Sequence, residues 1–142
     1  MLINDQQNAW NWDPSRRAIG PWQLDQPIDE AQLAEKFTPL HRYEEEDHDT
    51  YQFKDDPHHS KVFVKDGILK AVMCGKFYFN GEDLVGKTPT VVKNILSGNW
   101  INKQAGSHYD PNRSITLYEL ADEVKWITID SWSTIRKNPN EK

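Results

Sequence analysis

The sequence predicts an α+β domain: a mostly antiparallel, strongly twisted β-sheet of about five or six strands with two helices packed on it. Three observations carry that expectation. The run "KVFVKDGILKAVMC" (61–74) joins two β-rich halves through Asp66-Gly67, the pair that a type I′ hairpin turn wants. "SITLYEL" (114–120) and "EVKWITIDSW" (123–132) alternate apolar and polar residues, with Ala121-Asp122 at their turn. "TPTVVKNILSG" (88–98) carries the marks of one short helix between these β-rich regions.

Along the chain, the first 20 residues are Trp-rich. Trp10, Trp12 and Trp22 lie among Pro, Gly, Asn and Asp, with no helical period. Large aromatics bury much area each, so these tryptophans are expected to pack the N-terminal segment onto the domain; a recognition surface is the competing reading. "GPWQLDQP" (20–27) is turn-rich. "IDEAQLAEKF" (28–37) sets Ile28, Leu33 and Phe37 near one face of a helix that Asp29 and Glu30 open and Pro39 ends. "DTYQF" (49–53) reads as a strand. "KFYFNGEDL" (76–84) is a β-rich run closed by an Asn80-Gly81 turn.

The second helix is expected over 88–97. Thr88 caps it, Pro89 takes the first position, Val91, Val92, Ile95 and Leu96 form the buried side, and Gly98 stops it. Mostly polar residues follow. The tail at 136–142 is expected to be disordered, and the 142 residues to form one domain. Alternation in "VFVKDGILKAVMC" puts apolar residues on both faces of the hairpin, which implies that each face is at least partly covered, the Trp-rich N-terminus being the candidate cover.

Net charge is -5, but its distribution says more. Residues 44–56, "EEEDHDTYQFKDD", hold seven acids against one lysine, whereas residues 57–142 hold nine acids against twelve bases. That segment argues against nucleic acid as a partner, because phosphates need neutralising cations, and it suits a basic partner. Cys74 is the only cysteine and lies in an apolar run, so no intrachain disulfide is available and a reducing compartment is expected. With no charged leader before an apolar stretch and no run of eighteen apolar residues, a cytoplasmic protein with no membrane partner is expected.

"GEDLVGKT" (81–88) fits the phosphate-loop template of Gly, four residues, Gly-Lys-Thr. A strand before it and a helix after it are also in place. Against a nucleotide site, Glu82 and Asp83 would bring carboxylates to a phosphate cradle, Pro89 lacks an N–H, and hairpins surround the motif where parallel strands are required. Asp130 at the end of "VKWITID" offers a faint magnesium-holding partner, weakened by Lys125 and Thr128. The stretch reads better as a turn, a Leu84-Val85 anchor and a helix cap. A small nucleotide-binding protein centred on Lys87 and Thr88 is the alternative function.

No catalytic residue, cofactor or metal site is expected. His41, His48, His58, His59 and His108 lack paired ligand spacing, Ser97 ends a helix, and Cys74 has no evident base. The acidic segment is the candidate site: Glu44, Glu45, Glu46, Asp47, Asp49, Asp55 and Asp56 supply charge, and Tyr51, with Tyr43 and Phe53, supplies apolar anchors. The plainer reading of the same run is a solvated loop.

The order "GPWQLDQPI", "DTYQF", "KVFVKDGILKAVMC", "KFYFNGEDLVGKTPTVVKNIL" resembles small bacterial immunity proteins of contact-dependent inhibition and related polymorphic toxin systems. The resemblance spans residues 20–97 and rests on structural motifs. It implies a small, acidic, cytoplasmic, non-enzymatic protein that binds and neutralises one cognate toxin C-terminal domain, with no contact residue carried over. The expected function is therefore stoichiometric inhibition of a basic toxin domain, such as a nuclease, through 44–56; an adaptor with no toxin shares every feature. Oligomeric state stays open.

Overall fold

A computed structural model describes residues 10–42, 44–54 and 59–131, without the side chains of Glu30 and Lys103. The expectations for the 136–142 tail and for Tyr43, Asp55, Asp56 and His58 lie outside the described residues.

Two antiparallel meanders make the main sheet. The first runs β4 (Phe37–Pro39), β5 (Asp49–Phe53), β6 (Lys61–Lys65) and β7 (Ile68–Cys74). The second runs β10 (Ile101–Gln104), β11 (Ser107–Asp110), β12 (Ile115–Leu120) and β13 (Glu123–Asp130). Their last strands pair, giving the order β10-β11-β12-β13-β7-β6-β5-β4. Around this sheet stand β1 (Trp12–Asp13), β2 (Ala18–Ile19) and β3 (Trp22–Gln23) as one small sheet, and β8 (Tyr78–Phe79) with β9 (Glu82–Asp83) as another. Helices α1 (Glu30–Lys36) and α2 (Pro89–Leu96) are the further elements named among the described residues.

The α+β class and antiparallel pairing agree with the sequence, but the main sheet has eight strands where about five or six are expected. The strands that sequence reading missed lie at the edges. Pro39 reads as a helix stop, yet it sits in β4, the outermost strand, where a missing N–H breaks no ladder. Correspondingly α1 ends at Lys36, and Phe37 turns extended to begin β4. At the other edge, "INKQAGSHYD" is polar and lacks clean alternation, as edge strands often do, and forms β10 and β11.

Local turn chemistry holds as expected. Asp66 and Gly67 have φ of 53° and 77°, and Asn80 and Gly81 have 53° and 81°, the positive pairs that right-twisted hairpins need. Asp29 accepts from Ala31 N to cap α1, and Thr88 accepts from Val91 N to cap α2 with Pro89 next. Val92 and Leu96 are buried and Ile95 partly so, but Val91, expected on the buried side, is 43% exposed.

One face of the sheet carries the core. Val62, Val72, Cys74, Ile127, Ile129, Ile115 and Leu117 point to it through direct register and are buried. The helices and the N-terminal segment cover it: Leu33, Val92 and Leu96 join the same cluster as Trp10, Trp12 and Trp22, each tryptophan 3% exposed. Trp10 meets Phe53, Phe53 meets Phe37 and Phe37 meets Trp22, all edge to face at 5.1–5.3 Å. Packing is thus the role these tryptophans have.

Helix α2 ends against the β11–β12 turn. Arg113 donates to the carbonyls of Leu96 and Ser97 and to the buried Asp110 carboxylate, satisfying the last turn. Gly98 has φ +99°, and a Cβ there would lie 2.5 Å from Arg113 Nη2 and 2.9 Å from Asp110 Oδ2. Gly98→Ala is expected to destabilise the fold by about 1–3 kcal/mol, read as a lower urea midpoint. A midpoint equal to that of the parent protein would remove this cap from the account.

Candidate functional site

Glu44 to His48 of the acidic segment lie in the connection between β4 and β5 at the edge of the sheet, and Asp49–Phe53 form β5 itself. Leu40 N donates to Thr50 O, so the two strands stay paired up to the turn. Arg42 reaches across it, donating Nε and Nη2 to the Glu46 carbonyl and Nη1 to Asp49 Oδ1 at 3.4 Å. Lys65 Nζ, on neighbouring β6, donates to Asp47 Oδ2 at 3.1 Å. His48 Nδ1 stands 3.2 Å from Asp47 Oδ1 and its Nε2 3.6 Å from Glu46 Oε2, while its ring leans edge-on against Phe63 at 5.7 Å.

These contacts redistribute the charge that the sequence displays as one block. Asp47 and Asp49 are paired with cations, and Glu46 with the His48 ring. Glu44 and Glu45 are exposed at the tip. Asp55 and Asp56 lie outside the described residues. Tyr51 and Phe53 sit on the core face, Tyr51 opposite Val62, and pack half-buried against the core, so neither projects from the acidic tip as an anchor. The hydrogen bond from His48, then that from Lys65, hold the Asp47 carboxyl down to about 2.

The phosphate-loop match folds into something else. Asp83 Oδ1 accepts from Phe77 N and Val85 N, Gly86 N donates to Val124 O, and Lys87 N donates to Leu84 O. Val124 N returns a bond to Lys87 O, stitching the stretch to the start of β13. Backbone donors that would cradle a phosphate are therefore directed at protein acceptors. Lys87 Nζ lies 2.7 Å from Glu82 Oε2. Asp130 stands six residues along β13 from Val124, roughly 20 Å away at the usual strand rise, out of reach of Thr88.

Among the described residues no group of three or more His, Cys, Asp or Glu side chains is placed to hold a metal ion. Cys74 is fully buried, and His108 Nε2 meets Glu119 Oε2 at 3.1 Å. No described helix is long and apolar enough to cross a membrane. Comparison with family models, curated proteins and solved structures found no match.

The sequence reading missed the second face of the sheet as a surface. Phe63, Met73, Trp126 and Thr128 share that face and are only half-buried, and Tyr118 is 37% exposed. Alternation in 61–74 places Phe63 and Met73 there; the tryptophan-rich N-terminus, the candidate cover for the hairpin, packs Trp10, Trp12 and Trp22 on the core face. The signal was present; the choice of face was not.

Two outcomes are expected. Folded-state pKa below the unfolded value means that the Asp47 contacts are complete above about pH 4 and are lost as pH falls toward 2. Carboxyl NMR should place the Asp47 midpoint near 2, moving up with added salt because 72% of its side chain is in solvent. A midpoint at the ordinary aspartate value would mean that the turn is not pinned. Magnesium-ATP titrated by calorimetry should give no heat; saturable heat that Lys87→Ala abolishes would restore the loop as a nucleotide site.

Proposed function

We propose that this protein is a stoichiometric inhibitor that binds and neutralises a cognate toxin domain of basic surface in the cytoplasm, as an immunity protein of contact-dependent inhibition type. The observation that carries the reading is the β4–β5 turn, whose tip presents Glu44 and Glu45 to solvent while Lys65, Arg42 and His48 hold its shape. A carboxylate pair on a pre-shaped turn loses little conformational entropy on binding and attracts a basic partner from a distance. Nucleases are a fitting toxin class, because carboxylates at such a turn stand in for the phosphates that their clefts bind. The resemblance of residues 20–97 to immunity proteins points the same way.

Capture from the native cell lysate with the tagged chain should retain one stoichiometric basic protein, loosened at high salt. Reversing Glu44 and Glu45 to lysine should leave melting unchanged and slow association by about tenfold or more at low salt. If protection and binding rates were unchanged, the turn would not be the contact. Capture that retains no basic protein would remove the inhibitor reading itself.

A further inference from the structure

The face of the sheet opposite the core is not flat. Ala71 lies in its middle, and the register surrounds that small side chain with larger ones: Phe63 directly across on β6, Asp130 directly across on β13, and Met73 two residues along β7. Trp126 and Tyr118, opposite each other on β13 and β12, form the far wall, with Thr128 between. The result is an open groove of about 500 Å3 whose floor is the buried Ala71 and whose walls are aromatic and thioether. Volumes of this order accept a large side chain with its neighbours.

Charge selects the occupant. Among the described residues that line the groove Asp130 is the charged one, and Arg17 Nη2 donates to its carbonyl oxygen from the end of β13. It acts on Tyr118, whose hydroxyl is pushed up first by burial and then by the Asp130 carboxylate. The acidic turn adjoins the groove at Phe63, which forms one wall and carries the His48 ring on its edge, next to Asp47. The nearest cation of β6 at that end, Lys65, is paired with Asp47; Lys61, beside Met73, sits at the other end. An aromatic trough with a carboxylate inside it and glutamates beyond one rim fits a guanidinium, whose plane stacks on Trp and whose fork pairs with a carboxylate.

We propose that this groove receives an arginine-bearing segment of the partner protein, the guanidinium stacking on the Trp126–Tyr118 wall and pairing with Asp130, while the acidic turn engages the partner beside it. This rests on the inhibitor reading for the identity of the partner, not for the chemistry of the groove. It adds a desolvated anchor to an otherwise solvated turn, and arginine and aromatic anchors dominate protein interfaces.

Met73 makes the test direct, because Met1 is the only other methionine and Met73 lines the groove. The full chain, labelled with 13C-methyl methionine, is titrated with a short synthetic peptide alternating arginine and threonine, and with its glutamate counterpart. The Met73 signal is expected to shift saturably with the arginine peptide alone. Ala71→Leu, which fills the floor, and Asp130→Asn, which keeps its shape, are each expected to weaken binding roughly tenfold; the isosteric Asp130→Asn decides the matter if Ala71→Leu does not fold. A still Met73 signal, an equal response to the glutamate peptide, or undiminished binding by Asp130→Asn overturns the proposal. So does a Met73 shift that depends on protein concentration alone, which means a second copy fills the groove. In lysate capture, loss of the partner with Glu44→Lys and Glu45→Lys but not with Ala71→Leu or Asp130→Asn keeps the inhibitor reading and removes the groove. If the parent chain captures no basic protein, the inhibitor reading falls while the peptide titration still decides the groove.

Discussion

An eight-stranded sheet must have one apolar face taken out of water, and among the described residues α1 contributes seven residues of helix and α2 eight. Two short helices cannot cover such a face. The N-terminal segment supplies the missing cover, with Trp10, Trp12 and Trp22 each almost fully buried. Burial at about 25 cal/mol per Å2 makes large aromatics the most effective cover per residue, which is why this otherwise irregular segment is rich in tryptophan. The edge-to-face chain Trp10–Phe53–Phe37–Trp22 ties that segment to β5 and to the edge strand β4, which has a ladder on one side only.

Holding that edge also fixes the acidic turn. The acidic turn connects β4 to β5, so its position is inherited from a strand pair anchored by aromatic packing on the core face. Lys65 from β6 and Arg42 then fix the turn itself. A run of carboxylates left mobile would spread by mutual repulsion, whereas here the cations offset part of that repulsion and leave two glutamates facing out. Of the acids from Glu44 to Asp49, Asp47 and Asp49 are thus paired with cations and Glu44 and Glu45 are turned to solvent.

The junction of β7 with β13 decides the other face. It places Ala71 beside Asp130 and Met73 beside Thr128, residues more than fifty positions apart in sequence. β13 also receives the Gly86-Lys87 stretch at its start and Arg17, which donates to the Asp130 carbonyl, at its end. The same strand therefore closes the phosphate-loop lookalike into the fold and lines the groove. Both facts follow from one pairing, and neither can be read from either segment alone.

By itself the sequence determined what depends on a few consecutive residues. The Asp66-Gly67 and Asn80-Gly81 turns, the Asp29 and Thr88 caps, the stop at Gly98 and the alternating strands at 61–74 and 114–130 all arise from backbone preferences and hydrogen bonds within one turn. The α+β class and antiparallel pairing follow, because hairpins pair antiparallel by construction. Tertiary structure alone decided the rest. Edge strands β4 and β10 are polar or carry proline, so their signal is the absence of a signal, and only a neighbour's ladder makes them strands. Which face of the sheet the tryptophans would cover, which acids lysine and arginine would reach, and the hollow over Ala71 depend on contacts distant in sequence, where the energy lies in packing and no local preference records it.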